Sequence, residues 1–198
     1  MTSRRKKKSQ LKNPHKKIII AMEGNKTEPD YFNKLKIEFK KSKLIIPLDR
    51  LNTNSDPKHV INQLNDYKKD NDIDVLDELW LIIDTENPDN RSQELLSEIA
   101  DECETKNYRL GMSNPCFEIW LILHYEDSDS ISKTAKCGEL KTKWKEIKHN
   151  KRQNKENILD FLTIAVNNAE KLDIDKTTRY PNTIGTRVYK LIKSILDN

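Results

Sequence analysis

Two short apolar runs, Ile18-Ile19-Ile20-Ala21-Met22 and Leu79-Trp80-Leu81-Ile82-Ile83, each stop at an acid, Glu23 and Asp84. Runs this short, without polar alternation, read as strands buried on both faces, which a sheet covered by helices on both sides provides. The segments around them carry the helical period. Tyr31, Phe32, Leu35 and Phe39 share one face of a helix that Thr27 can cap, with Pro29 in its first turn. Residues 44–48 read as a weaker strand, at a sheet edge because it contains Pro47. Asp56-Pro57 opens a helix with Val60, Ile61, Leu64 and Tyr67 on one face. A third helix covers about 92–105 and a short strand 108–112. This alternation predicts an α/β fold with a Rossmann-like parallel sheet of about four strands flanked by helices.

After Ser113 the character changes. Ser113-Asn114-Pro115 reads as a helix start, and Phe117, Ile119, Trp120, Leu121, Ile122 and Leu123 make a helix apolar almost all round, hence buried between layers. Further helices are expected near 133–148, 155–171 and 183–197, the last with Ile184, Val188, Leu191, Ile192 and Ile195 on one stripe. The chain thus divides into a basic arm (1–16), an α/β core (17–125) and a helical, lysine-rich C-terminal extension (126–198).

Hydrophobic and charged residues are nearly equal, 35% and 34%, so a core must come from the concentrated runs just named. No run approaches the roughly 18 apolar residues that span a bilayer, and the basic start is not followed by the apolar stretch of a secretory signal. No membrane association is expected. Cys103, Cys116 and Cys137 form no CxxC pair and leave an odd count. A disulfide framework or structural zinc site is therefore not expected, Cys103 and Cys116 read as packing residues, and a reducing cytoplasm fits. Residues 1–17 hold eight of the Lys and Arg residues and no acid, whereas the net charge is only +4, so the remainder is mildly acidic. Such an arm serves either as a polyanion contact or as a solubilising leader.

In an open α/β sheet, ligands bind beyond the carboxyl ends of the strands where strand order reverses. In a 2-1-3-4 order the first and third strands meet at that crevice, bringing Glu23 beside Asp84, with Glu86 two positions on. Crowded carboxylates repel each other unless one takes a proton or a cation neutralises them. Oxygen ligands of this kind suit Mg²⁺ or Mn²⁺. Gly24 leaves room for a ligand, and the helix N-terminus near Thr27 and Glu28 favours an anion. The competing reading is that acids flank strands because strand ends are wet.

Three stretches resemble RloB-like proteins. Glu23-Gly24-Asn25-Lys26-Thr27-Glu28-Pro29-Asp30-Tyr31-Phe32 is similar to their opening motif. Leu79-Trp80-Leu81-Ile82-Ile83-Asp84-Thr85-Glu86 is similar to their second acidic strand. Ser113-Asn114-Pro115-Cys116-Phe117-Glu118-Ile119-Trp120-Leu121-Ile122-Leu123-His124 resembles their apolar helix. The resemblance covers about 15–125, with a looser match around 181–191. It implies a relative of the TOPRIM fold of topoisomerases, primases and certain nucleases, encoded near restriction-modification and abortive-infection loci. By that resemblance Glu23 is an acid/base or metal ligand, and Asp84 with Glu86 binds Mg²⁺. The family pair is two aspartates, so Glu86, one methylene longer, is a departure, and Asp89 stands in reserve. The resemblance also draws attention to Glu28, as a second-metal or water ligand, and to Glu118. Both lie in first helical turns, where the dipole stabilises a carboxylate in any case. His124 is either catalytic or packed.

Divalent metal beside such acids implies phosphoryl transfer on nucleic acid. Binding is expected from Lys26 and from the lysine-rich stretch containing Lys141, Lys143, Lys148, Lys151 and Arg152, with Trp144 available to stack on a base. The bland alternative is a solvated helix face. Two functions remain open. One is a Mg²⁺-dependent nuclease cutting DNA or RNA in prokaryotic anti-phage defence. The other is a non-catalytic nucleic-acid-binding or sensing subunit beside an ATPase or restriction-modification partner.

Overall fold

A computed structural model describes residues 16–39, 44–49, 57–85, 92–154 and 156–197, with the side chains of residues 152 and 153 left aside. Glu86, Asp89, the Arg152 side chain and nearly all of the basic arm lie outside the described residues. Five strands form one sheet: β1 (Ile18–Met22), β2 (Ile45–Pro47), β3 (Glu78–Asp84), β4 (Arg109–Asn114) and β5 (Gly185–Thr186). Their spatial order is β2-β1-β3-β4-β5, with the first four parallel and β5 antiparallel.

Side chains of β1 alternate between two cores because strand side chains point to opposite faces in turn. Ile18, Ile20 and Met22 pack with Trp80 and Ile82 under Tyr31, Phe32 and Leu35 of α1 (Thr27–Glu38). Ile19 and Ala21 pack with Leu79, Leu81 and Ile83 under α2 (Pro57–Asp70) and α3 (Gln93–Lys106). The helix after β1 therefore lies on one face and the helices after β2 and β3 on the other. That is the switch between neighbouring β1 and β3 that opens a crevice at their carboxyl ends.

The face with α1 is completed by α4 (Glu118–Ile122), α5 (Cys137–Gln153), α6 (Leu162–Leu172) and α7 (Val188–Leu196). No helix among the described residues is long and apolar enough to cross a membrane.

Several boundaries differ from the sequence reading. Thr27 does not cap α1; it is the first helical residue, Lys26 holds the cap position, and no side-chain cap bond forms there. Ser113 and Asn114 extend β4 instead of starting a helix, and α4 begins only at Glu118. The Ser113 hydroxyl meets that of Thr186 at 2.9 Å, and Asn114 Nδ2 donates to the Pro181 carbonyl at 3.2 Å. Those polar links also explain β5, which periodicity missed: it is two residues long and carries no apolar alternation. Before α6 the chain makes a 3₁₀ turn (Ile158–Phe161), so the helix expected from 155 starts later. The segment between α6 and α7 is held by Arg187, whose guanidinium bonds the Asp173 carboxylate at 3.0–3.1 Å, both groups buried.

Candidate metal centre

Glu23 follows β1 directly, and its backbone N–H donates to the Ile82 carbonyl at 3.0 Å, continuing the pairing with β3. Asp84 ends β3, and its backbone N–H donates to Glu23 Oε2 at 3.2 Å. The two acids therefore face each other across neighbouring strand ends. Thr85, next along, is fastened to β4 by its N–H to the Ser113 carbonyl and its hydroxyl to Asn114 Oδ1.

Glu28, in the first turn of α1, is buried and folds back over Gly24. A Cβ at Gly24 would lie 1.8 Å from Glu28 Oε2, so the absent side chain is what makes room for that carboxylate. Glu118, the first residue of α4, is also buried. Burial pushes the Glu28 carboxyl up to about 7, helped by Glu118 and Glu23 and opposed by its own backbone N–H and by Lys141. Burial likewise holds Asp84 well above the usual carboxylate range, with Glu28, Glu23 and Glu118 adding repulsion. Four acids thus share one poorly solvated place, where a divalent cation would relieve the conflict. The donors are all oxygen, the kind that Mg²⁺ or Mn²⁺ takes, and Gly24 leaves the room that the Glu28 carboxylate fills.

Thiols border this cluster. Cys116 Sγ, a Glu118 carboxylate oxygen and Cys137 Sγ all lie within 4.8 Å of one another. Cys137 opens α5, and Lys141 follows one turn later. A hydrogen bond with Cys116 and the Lys141 charge pull the Cys137 thiol down against the effect of burial. The same bond, with burial, pushes the Cys116 thiol up.

Lys26, Lys34, Lys148 and Lys151 line a cleft of about 300 Å³ together with Tyr31, Tyr125 and Trp144. Tyr125 and Trp144 lie nearly parallel, 21° between planes and 6.5 Å between centroids. Lys151 Nζ sits 5.0 Å from the Tyr125 ring centre and 3.0 Å from Glu156.

The structure brings together Glu23, Asp84, Glu28 and Glu118, and separately gathers Lys26, Trp144, Lys148 and Lys151. Lys141 stands instead beside Cys137 and Glu118, and Lys143 is paired with Glu126. His124 is wholly buried. Its Nδ1–H donates to the Trp120 carbonyl at 2.9 Å, which leaves Nε2 to accept from the Tyr31 hydroxyl at 3.2 Å. Burial lowers it to about 4, so the ring is neutral at ordinary pH. Sequence reading missed Lys34 and Tyr125 in the cleft and the nearness of Cys116 to Cys137. Only the cysteine opening a lysine-rich helix hinted at the last.

Residues 18–195 match the family described as RloB-like protein. No curated protein and no solved structure matches.

Proposed function

The chain belongs to the RloB-like protein family, and we propose that it is a Mg²⁺- or Mn²⁺-dependent nuclease that hydrolyses phosphodiester bonds of DNA or RNA in prokaryotic anti-phage defence. Its principal support is the packing of Glu23, Glu28, Asp84 and Glu118 where two of them carry raised pKa values. Glu23 and Asp84 would hold the ion, with Glu86 as a further candidate ligand outside the described residues. A bound ion would supply Lewis-acid neutralisation of charge on the phosphorane-like transition state.

The chain's own groups do the rest. Glu28, pushed up to about 7, is suited to take the proton of an attacking water, whose oxygen bonds to phosphorus as the sugar oxygen leaves. Lys26, Lys34, Lys148 and Lys151 would hold neighbouring phosphates, and the Tyr125–Trp144 pair offers a surface on which an unpaired base stacks. Helix α1 contributes to both places, Glu28 to the acids and Thr27, Tyr31 and Lys34 to the cleft.

Asp84→Ala tests this. Cleavage of DNA and RNA should vanish while the circular-dichroism spectrum and nucleic-acid affinity persist. Cleavage that continues in that variant, or in excess EDTA, overturns the proposal. Binding by the wild type without cleavage in either metal would instead make the chain a non-catalytic nucleic-acid-binding subunit.

A further inference from the structure

We propose that Cys116, Glu118 and Cys137 form a second metal site, for a thiophilic divalent cation such as Zn²⁺, bordering the Glu23–Asp84 pair and set apart from it by its thiol donors. The three ligand atoms already lie within 4.8 Å of one another. Around tetrahedral zinc, bonds of about 2.3 Å to sulfur and about 2.0–2.2 Å to oxygen set ligand atoms about 3.5–3.8 Å apart. Closure around an ion therefore requires the atoms to move in by at most about 1 Å, which side-chain rotation supplies.

Their positions in the fold favour this. Cys116 and Glu118 are two residues apart on the buried turn from β4 into α4, alternating with the buried Phe117 and Ile119. Cys137 approaches from the start of α5, which packs against α4, and it is partly exposed, leaving a way in for the ion. Two ligands thus sit on one buried turn and the third on a neighbouring helix start.

Donor chemistry separates the two sites. Thiolates select zinc-like ions over Mg²⁺, whereas Glu23, Glu28 and Asp84 offer only hard oxygen. Charge also balances: two thiolates and one carboxylate are offset by a divalent ion and the Lys141 ammonium beside them. The count of three cysteines hides this set, because Cys103 lies under the opposite sheet face on α3. An ion here would pin the first turn of α5, which carries Trp144 and Lys148, to the turn before α4.

The test is Co²⁺ titration of the reduced full-length chain. We expect thiolate-to-cobalt charge-transfer absorption that saturates at one ion per chain and is displaced by Zn²⁺. Cys103→Ser and Asp84→Ala should retain it, and Cys137→Ser should lose it. Cys116→Ser should lose it too, but Cys116 is wholly buried and its replacement risks the fold. Cys137→Ser, at a partly exposed helix start, therefore decides the outcome, with Zn²⁺ protection of two thiols from a thiol-reactive probe as the second measurement. No charge-transfer band in the wild type overturns the proposal, as does a band that survives Cys137→Ser or one that disappears in Asp84→Ala. A Cys116–Cys137 disulfide recovered under reducing conditions, with no metal bound, also overturns it.

Discussion

At the scale of single residues, Glu28 and Asp84 carry in their charged forms an energetic cost that a proton or a cation relieves. Glu28 has a folded-state pKa of about 7 against an ordinary 4.5. Because the folded value is raised, its stabilising contribution is full below the unfolded pKa and is lost as pH climbs through the folded one. The loss from this one group is on the order of 3 kcal/mol, and Asp84 shifts in the same direction. In EDTA, the chain should be less stable to urea at pH about 8 than at pH about 5. Glu28→Gln should remove much of that difference by stabilising the chain at the higher pH, and Mn²⁺ should do the same for the wild type. Gly24→Ala probes the same cluster from the backbone side. The added methyl would displace the far end of a flexible side chain, so stability should change by less than about 1 kcal/mol, while Mn²⁺ affinity, read by calorimetry, should fall. The strand-end acids were legible in the sequence because a buried run that stops at a carboxylate fixes where that carboxylate sits. His124 was not, because its tautomer depends on Tyr31, 93 positions away.

At the scale of elements, α1, α2 and α3 were readable to within a residue or two because each has one apolar face and one core to bury it in. The stretch after Met112 was harder. Ser113 and Asn114 carry a helix-start signature, yet their side chains are engaged by Thr186 and Pro181, partners that no local pattern announces. The lysine-rich helix α5 was anticipated, but its face was not: Trp144, Lys148 and Lys151 turn toward the cleft, while Lys143 turns to Glu126. If the cleft tracks a single strand, replacing Lys148 and Lys151 together by Ala should weaken binding. It should also lower the slope of log affinity against log salt by about 1.4, the value for two phosphate contacts to a single strand. Fluorescence anisotropy over a salt series measures both. An unchanged slope would remove these lysines from the binding surface.

At the scale of the whole molecule, the sheet is fastened at one end and charged at the other. Glu78 opens β3 and accepts from Trp80 Nε1 at 2.8 Å, Ser194 Oγ at 2.6 Å and Lys16 Nζ at 3.2 Å, with Arg109 also 3.2 Å away. Burial pushes its carboxyl up, yet these partners hold it below the ordinary range. Its contribution is therefore present above the unfolded pKa and lost as pH falls through the depressed one. Glu78→Ala should cost about 1–3 kcal/mol in urea unfolding, since it leaves the buried Trp80 Nε1–H without its acceptor. Mn²⁺ affinity should be unaffected, because the acids lie at the far end of the same strands. The sheet order and the division of helices between faces followed from the alternation of runs. What the sequence did not reveal was the return of the chain to the sheet at β5, which rests on polar pairing.

Both margins of the sheet are short. β2 spans three residues and ends in Pro47, which has no N–H to donate, and β5 spans two. Neither offers the long row of open backbone groups from which a neighbouring chain could extend a ladder. Crowding many copies together, as at high expression, should therefore not drive edge-to-edge polymerisation through these two strands.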